Sequence, residues 1–328
     1  MWRYLPRVTS QLRSASPTRI GLGLAAVGRP GYINLGRRSD LPGTRSTEAL
    51  RDRAFELMDA AYAHGVRYLD AARSYGLAET YLAQWLHARP DVTDVTIGSK
   101  WGYTYTADWQ TQADVHEVKD HSVAAYRRQI AETRALLGHR LDLYQIHSVT
   151  PDSPALSDAV LHEHLAASGV TVGLSTSGPH QADTIRAALT VTVAGQPLFG
   201  SVQTTYNLLE RSAGGALAEA HAAGCAVIVK EALANGRLTG PHLVTPALDA
   251  VREIARQMST TCDAVALAAV IAQPWADIVL SGAATVDQLT SNLAAARVRL
   301  SPAQLERLAE LTEPADAYWA RRSQLPWT

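Results

Sequence analysis

The sequence of 328 residues has few cysteines and no excess of charge of either sign. Cys225 and Cys262 are the only cysteines, and they form neither a disulfide framework nor a metal-ligand spacing. The 30 Lys and Arg residues nearly balance the 31 Asp and Glu residues, which argues against a general nucleic-acid or membrane-surface partner. No apolar run is long enough to span a bilayer. Together these absences favour a soluble, cytoplasmic enzyme in a reducing compartment.

The N-terminal segment lacks acidic residues, because Asp40 is the first Asp or Glu in the chain and several arginines precede it. Such a bias occurs in organelle transit segments. We favour a short β-hairpin over residues 1–18 that leads to the first strand. No apolar block in this segment suggests a secretory signal.

Short β-branched or aromatic runs alternate along the chain with longer segments of helical periodicity. The runs predict strands at about 19–24, 65–70, 95–100, 141–147, 170–175, 200–205, 226–231 and 277–282. Between the first two, Leu50, Leu57 and Ala61 fall on one helix face, and Gly65 stands where a C-cap is expected. Eight strands alternating with helices predict an α/β fold, a (β/α)8 TIM barrel that forms one domain over residues 1–328.

An open, doubly wound sheet is the main alternative for this alternation, and it usually begins with a glycine-rich turn directly before a helix. Gly21, Gly23 and Gly28 resemble that turn superficially, but the next helical pattern begins only near Thr47. This distance is too long for a phosphate-binding turn, so we favour the barrel. An extra C-terminal helix and a tail are predicted within residues 301–328.

Ionisable residues end three successive predicted strands: Asp70 the second, Lys100 the third and His147 the fourth, with Tyr75 five residues after Asp70. Each residue alone has an ordinary structural explanation, such as capping or packing. In a barrel, however, the carboxyl ends of the strands meet at one face, so the four side chains are expected to converge. These residue types can move a proton onto a carbonyl oxygen while a hydride reaches its carbon.

Short motifs in a fixed order then connect the chain with a known family. They are D-A-A-R-S-Y-G-L-A-E, I-G-S-K-W-G, D-L-Y-Q-I-H, V-G-L-S, V-Q-T-T-Y-N, A-N-G-R-L and S-G-A-A-T-V-D-Q-L-T-S-N-L. From about residue 18 to about residue 312, the sequence resembles the aldo-keto reductase superfamily. The resemblance implies an NAD(P)(H)-dependent oxidoreductase that acts, without a metal, on an aldehyde, ketone or sugar.

The same resemblance implies a role for each of the four ionisable residues. Tyr75 would be the general acid–base, Lys100 would lower the pKa of its phenol, and Asp70 would hold Lys100 in place. His147 would orient the substrate oxygen. A free tyrosine has a pKa of about 10, so bringing it near neutrality requires a shift of roughly 3 units, and a neighbouring cation acts in that direction.

Cofactor contacts are implied for the ends of the later strands. Ser175 and Gln203 match positions that bind the nicotinamide carboxamide, and Thr176 stands where the family has asparagine. Lys230 stands where the family often has an aromatic ring that stacks on the nicotinamide. A lysine cannot stack in the same way, so the nicotinamide would be held differently here. The remaining implied contacts are Leu233, Asn235, Gly236 and Leu238 near the pyrophosphate, and Gly282, Ala283, Ala284, Gln288 and Asn292 toward the adenosine.

The preference between the two nicotinamide cofactors is open at this point. Thr285 and Gln288 form a T-x-x-Q capping box, which predicts a helix start and hence an anion site. Relatives that use NADPH usually have a basic residue here, whereas Gln288 and Ala284 are not basic. The expectation of NADP(H) over NAD(H) therefore rests on family frequency alone.

The substrate and the oligomeric state also stay open. Trp101, Tyr103 and Trp109 lie in a long loop after the third strand and are candidates for the wall of a pocket for a small carbonyl compound or sugar. Three alternatives are kept: a cofactor-binding regulatory subunit of the same fold, an aldose 1-dehydrogenase that works in the oxidising direction, and a metal-dependent barrel hydrolase. The sequence lacks the carboxylate–histidine cluster that the hydrolase would need.

Overall fold

The computed structural model describes residues 18–35, 40–41, 43–240 and 248–328. The β-hairpin expected over residues 1–18 therefore lies outside the described residues, apart from Thr18.

Eight parallel strands close into a barrel, and neighbouring strands around it follow the order β1, β8, β7, β6, β5, β4, β3 and β2. The strands are β1 Ile20–Gly23, β2 Tyr68–Asp70, β3 Thr96–Trp101, β4 Leu143–Val149, β5 Thr171–Thr176, β6 Ser201–Thr205, β7 Ala226–Lys230 and β8 Ile278–Ser281. Every strand predicted from the sequence is present, with its ends displaced by a few residues at most. The predicted (β/α)8 TIM barrel is thus confirmed.

Helices follow the strands and cover the outside of the barrel. They are α1 Thr47–Ala63, α2 Ala78–His87, α3 Val123–Leu137, α4 Ala159–Ala166, α5 Gln181–Leu189, α6 Gly214–Ala222, α7 Asp249–Gln257, α8 Cys262–Ile271, α9 Val286–Leu293, α10 Pro302–Ala309 and α11 Ala315–Ser323. Among the described residues, two short hairpins are added, Tyr103–Tyr105 with Glu117–Lys119 and Thr192–Val193 with Gln196–Pro197. Within the described part of the chain, no helix combines the length and the apolar character needed to cross a bilayer.

The first helix shows how the sequence sets the boundaries of these elements. Ser46 caps α1 by accepting a hydrogen bond from the backbone nitrogen of Ala49. Leu50 and Leu57 are buried on the face that the periodicity predicts. The chain then turns at Gly65, whose φ of 84° lies in the left-handed region that glycine adopts without strain.

The predicted C-terminal helix is present as α10, and a second helix, α11, follows it. Leu308 of α10 and Tyr318 and Trp319 of α11 belong to a separate apolar cluster with residues of α7 and α8. The chain then returns toward the barrel mouth, where Trp327 pairs with Ile33 in an antiparallel bridge. The C-terminal tail is therefore placed beside the loop that follows β1.

Gly98 of β3 allows a close approach between two strands of the barrel. A Cβ atom at this position would lie 2.2 Å from the hydroxyl oxygen of Tyr68. The Tyr68 side chain is fully buried, and its hydroxyl donates a hydrogen bond of 3.1 Å to the Asp70 carboxylate. Gly98 thus leaves the space that Tyr68 needs to reach Asp70.

We predict that Gly98→Ala destabilises the protein by about 1–3 kcal/mol, because the added methyl group overpacks the barrel interior. The measurement is urea denaturation. Gly23→Ala is the matched control in a barrel strand, since a methyl group added there would lie 3.6 Å from its nearest neighbouring atom. Equal losses of stability in the two variants would contradict the steric explanation.

Candidate active site

A buried ion pair lies at the carboxyl ends of β2 and β3. The ammonium of Lys100 donates to the Asp70 carboxylate and to the backbone oxygen of Ala71, the latter at 2.9 Å. Both charged side chains are almost completely excluded from solvent. The parallel register places Asp70 beside Gly98, so that Lys100 projects just beyond the end of β2. Because each charge is desolvated, the pair depends on this close contact.

The Asp70 carboxylate has further donors on its other oxygen. Tyr68 donates its hydroxyl at 3.1 Å, and Gln203 of β6 donates its side-chain amide at 2.8 Å. Gln203 reaches Asp70 across the interior of the barrel from a distant strand. The carboxylate is therefore satisfied on both oxygens, as a buried charge requires.

Tyr75 and His147 complete the cluster. The Lys100 ammonium lies 4.8 Å from the centroid of the Tyr75 ring. The His147 ring meets the Tyr75 ring edge to face, with centroids 5.5 Å apart and an interplanar angle of 80°. A second contact joins His147 Nδ1 to the Ser74 hydroxyl at 3.4 Å. The structure therefore brings together all four side chains that the strand ends predict.

The protonation of this cluster is governed mainly by burial. Burial, followed by the charge of Asp70, raises the pKa of Tyr75 well above its ordinary value. This direction is opposite to the lowering expected from Lys100, whose ammonium is bound to Asp70. Burial and the charge of Lys100 lower the pKa of His147 well below its usual value. At neutral pH the site therefore holds a neutral phenol beside a neutral imidazole.

Arg29, in the loop after β1, is a buried residue of the site that no motif or spacing in the sequence singles out. Its Nη1 donates to the backbone oxygen of Ser74 at 2.7 Å and to the Glu117 carboxylate at 2.8 Å. The guanidinium lies 5.6 Å from the Tyr75 ring centroid and 4.8 Å from that of Trp327. Arg29 thus links Tyr75 to the C-terminal tail.

The three aromatic residues proposed for the substrate pocket have different surroundings. Tyr103 meets the His147 ring at a centroid distance of 5.2 Å, so it borders the cluster. Trp101 is completely buried and packs on Tyr126, with centroids 5.1 Å apart. Trp109 donates its indole nitrogen to a backbone oxygen at 2.8 Å. Tyr103 is therefore the one of the three that contacts the cluster of Asp70, Tyr75, Lys100 and His147.

A cavity of about 590 Å³ extends from Asp70 and Tyr75 toward the first turns of α8 and α9. Its volume falls in the range of cofactor and ligand sites. The implied cofactor residues on its wall are Gln203, Lys230, Leu233, Asn235, Gly236, Gly282, Ala283, Gln288 and Asn292. Four of them, Gln203, Asn235, Gln288 and Asn292, have side-chain amides that can hydrogen-bond to a dinucleotide.

Four implied cofactor residues do not line this cavity: Ser175, Thr176, Leu238 and Ala284. The Ser175 hydroxyl accepts a hydrogen bond of 2.8 Å from the backbone nitrogen of Ser148. The Thr176 hydroxyl is buried and lies 3.1 Å from two acceptors, the side-chain oxygens of Gln181 in α5 and Thr204 in β6. Leu238 is completely buried, and the backbone nitrogen of Ala284 donates to Gln288. The contacts described for these four residues are therefore with other parts of the protein and not with the cavity.

Lys230 and Glu231 carry charge at the end of β7. Burial lowers the pKa of Lys230 to about 8, against the opposing effect of Glu231. Burial alone would raise the pKa of Glu231, but Arg322 of α11 and Lys230 lower it to about 2. The Glu231 carboxylate accepts hydrogen bonds from Arg322 and from Thr205. The charge of Glu231 is thus balanced by Arg322 of the C-terminal helix, while Lys230 faces the cavity.

The far end of the cavity is acidic. Asp263 and Asp287, in the first turns of α8 and α9, line it together with Gln288 and Asn292. Thr285 caps α9 by accepting a hydrogen bond from the Gln288 backbone nitrogen, which confirms the predicted helix start. When its amide oxygen faces Ser281, Asn292 donates to Asp263 at 2.8 Å. Among the described residues, this end has no Lys or Arg side chain on its wall.

The structure defines a (β/α)8 barrel with a cavity at the carboxyl ends of its strands, and comparison with known proteins identifies the family. A model of the Aldo/keto reductase family matches residues 19–313. The chain therefore belongs to the aldo-keto reductase family, whose members are NAD(P)H-dependent oxidoreductases. They bind nicotinamide cofactors without a metal and act on small carbonyl compounds.

Relatives in several organisms support this membership. The aldo-keto reductase str7 of Strobilurus tenacellus is 20% identical over 98% of this chain and 96% of its own length. Protein tas of Escherichia coli is 27% identical, with 74% of this chain and 84% of its own covered. An oxidoreductase of Mycobacterium bovis is 28% identical over 81% of this chain and 82% of its own length.

Solved structures share the fold. The holo form of the aldo-keto reductase AKR11C1 from Bacillus halodurans aligns with a TM-score of 0.64 and 20% identity, and covers 90% of this chain and 93% of its own. The glycerol dehydrogenase AKR11B4 from Gluconobacter oxydans aligns with a TM-score of 0.68 and 21% identity, and covers 89% and 90%. At this identity the likeness concerns the fold alone.

We predict that Asp70→Asn lowers the free energy of unfolding by about 3–5 kcal/mol, because it leaves the buried Lys100 ammonium without its counter-charge. Adding Lys100→Met to this variant should recover part of the loss. Urea denaturation measures both effects. The control is Glu219→Gln in the exposed pair with Arg186, which should change stability little. An Asp70→Asn variant as stable as this control would contradict the prediction.

Proposed function

We propose that the protein transfers a hydride between the nicotinamide of NAD(P)(H) and the carbonyl carbon of an aldehyde, ketone or sugar. The observation that carries the proposal is that Asp70 and Tyr75 line one end of a cavity, that Lys100 and His147 contact them, and that the other walls carry most of the implied cofactor residues. The bound nicotinamide would supply or accept the hydride, and the four side chains would manage the proton.

Tyr75 is the proposed proton donor to the carbonyl oxygen. Its raised pKa keeps the phenol protonated at neutral pH, as reduction of a carbonyl requires. The neutral imidazole of His147, held against Ser74, would orient that oxygen by hydrogen bonding. When Tyr75 has lost its proton, the Lys100 ammonium beside its ring would stabilise the negative charge. In the oxidising direction the same phenolate would accept the proton of an alcohol.

We predict that Tyr75→Phe lowers turnover at least about 100-fold with every substrate in a panel of aldehydes, because the proton donor is removed. The dissociation constant for the cofactor, measured by intrinsic fluorescence, should stay close to that of the wild type. Tyr62→Phe, which removes an exposed hydroxyl bonded to Asp94, is the control and should leave turnover unchanged.

Equal turnover in the wild type and Tyr75→Phe would remove Tyr75 from the mechanism. Tight cofactor binding by a wild type without turnover would instead favour the alternative of a regulatory, cofactor-binding subunit. Loss of activity on addition of a chelator would favour a metal-dependent hydrolase. Within the described residues, no group of three His, Cys, Asp or Glu side chains is arranged to hold a metal ion.

For the cofactor, we infer a preference for NAD(H) instead of the NADP(H) expected from family frequency. The support comes from Asp263 and Asp287, which line the end of the cavity far from Tyr75. A 2′-phosphate beside two carboxylates would be repelled, whereas a ribose 2′-hydroxyl can donate a hydrogen bond to a carboxylate. Asp287 also offsets the positive end of the α9 dipole, which would otherwise attract a phosphate.

We predict that the wild type binds NADH at least about tenfold more tightly than NADPH, as measured by fluorescence titration. Asp287→Asn should narrow this difference, because one of the repelling charges is removed. Asp316→Asn, in the first turn of α11, is the control and should leave the ratio unchanged. Tighter binding of NADPH by the wild type would contradict the inference, and binding of neither cofactor would undermine the proposed reaction.

The substrate is to be found by assay among small carbonyl compounds and sugars. Arg29 lies against the Tyr75 ring and the Trp327 ring, and Tyr103 lies against the His147 ring, so a compound with both polar and apolar faces would suit these neighbours. Activity with free aldoses and NAD would favour the aldose 1-dehydrogenase alternative. We also propose a cytoplasmic location, on the basis of the thiol-poor composition.

A further inference from the structure

The charges around Tyr75 are largely arranged in pairs. The ion pairs are Lys100 with Asp70, Arg29 with Glu117, and Arg322 with Glu231. Each pair contributes no net charge to the catalytic end of the cavity. The Tyr75 phenol and the His147 imidazole are neutral at neutral pH, because burial shifts both pKa values in the direction of the uncharged form.

Lys230 is the exception to this pairing. It is the only Lys or Arg side chain on the cavity wall among the described residues. Its ammonium has no hydrogen-bond or ion-pair partner within that part of the chain, since Glu231 is bonded to Arg322 and Thr205. When protonated, Lys230 is therefore a cation at this end of the cavity that no hydrogen-bonded carboxylate of the described residues balances.

The proposed function, on which this inference rests, places the nicotinamide close to Lys230. Hydride and proton must reach the same carbonyl group, so the nicotinamide has to lie at the Tyr75 end of the cavity. Lys230 shares this end. Its charge acts on His147, and it is itself influenced by Lys100 and Asp70.

We propose that Lys230 makes the site bind reduced nicotinamide more tightly than oxidised nicotinamide. The oxidised ring carries a positive charge and the reduced ring is neutral, so an unpaired ammonium at the same end of the cavity repels only the oxidised form. An aromatic ring at this position would have no such effect. Lys230 thereby acts on the redox balance of the bound cofactor without taking part in proton transfer.

A thermodynamic cycle relates this binding preference to the equilibrium between the oxidised and reduced cofactor on the protein. The ratio of the dissociation constants for NAD+ and NADH equals the factor by which the protein shifts the equilibrium between the two bound forms. A larger ratio favours alcohol oxidation, in which the hydride passes from the carbinol carbon to the cofactor and the hydroxyl proton passes to Tyr75. Lys230 therefore shifts the equilibrium on the protein toward bound NADH and the carbonyl compound, while the overall equilibrium between free cofactors and substrates is unchanged.

The effect should depend on pH through Lys230 alone. The charged and titratable groups that face Lys230 are Glu231, Arg322, Lys100, Asp70 and His147. The pKa of Glu231 is about 2 and that of Arg322 is raised, so both stay charged, while the lowered pKa of His147 keeps it neutral. Burial lowers the pKa of Lys230 to about 8, so its ammonium is charged below that pH and neutral above it. The repulsion is thus present at low pH and lost as the pH rises.

The test is the ratio of the dissociation constants for NAD+ and NADH, measured by calorimetry or fluorescence at constant ionic strength between about pH 6.5 and about pH 9.5. In the wild type we expect the ratio to fall roughly tenfold across this range. Lys230→Met should show the low ratio at every pH, and Lys230→Arg should show the high ratio at every pH. Lys119→Met is the control, because Lys119 lies outside the cavity and donates to a backbone oxygen.

A ratio that is independent of pH in the wild type would overturn the inference, as would equal ratios in the wild type and Lys230→Met at low pH. If Lys230→Met does not fold, the wild-type titration and Lys230→Arg decide the question, since the arginine keeps its charge throughout. Failure of the wild type to bind either cofactor would instead refute the proposed function. If the wild type binds both cofactors and its ratio of dissociation constants equals that of Lys230→Met, the role of Lys230 is refuted but the proposed function is not.

Discussion

The catalytic end of the barrel depends on the buried contact between Lys100 and Asp70. Neither charge is tolerable in the barrel interior without the other, so the register of β2 and β3 has to bring them together. Tyr68 and Gln203 complete the solvation of Asp70, and Tyr68 fits only because Gly98 has no side chain. A single ion pair therefore links the packing of the barrel to the position of an ammonium beside Tyr75.

Burial has opposite consequences for the groups in this end of the cavity. It strengthens the ion pairs, but it also keeps Tyr75 protonated, His147 neutral and Lys230 close to losing its proton. The expectation that Lys100 would make the phenol acidic included the pairing of Lys100 with Asp70 but not the burial of Tyr75. In the structure the same lysine is held by Asp70, so desolvation determines the pKa of Tyr75.

Most of the fold could be predicted from the sequence, because strands and helices differ in periodicity and the strand ends of a barrel meet at one face. The convergence of Asp70, Tyr75, Lys100 and His147 follows from that topology. The pair of Arg29 with Glu117 could not be predicted, since it joins two loops with no common pattern. The orientation of the Ser175 and Thr176 hydroxyls could not be predicted either. The alternation of side chains along a strand does not specify which polar groups point into a cavity. The acidic far end likewise depends on which helix turns border the cavity.

A crystal structure of the protein with NADH tests the central claim most directly. We predict that the nicotinamide lies between Tyr75 and Lys230, that the adenosine lies beside Asp287, and that the Lys100–Asp70 ion pair is retained. A cofactor bound outside this cavity, or a Tyr75 hydroxyl directed away from the nicotinamide with Lys100 separated from Asp70, would contradict it.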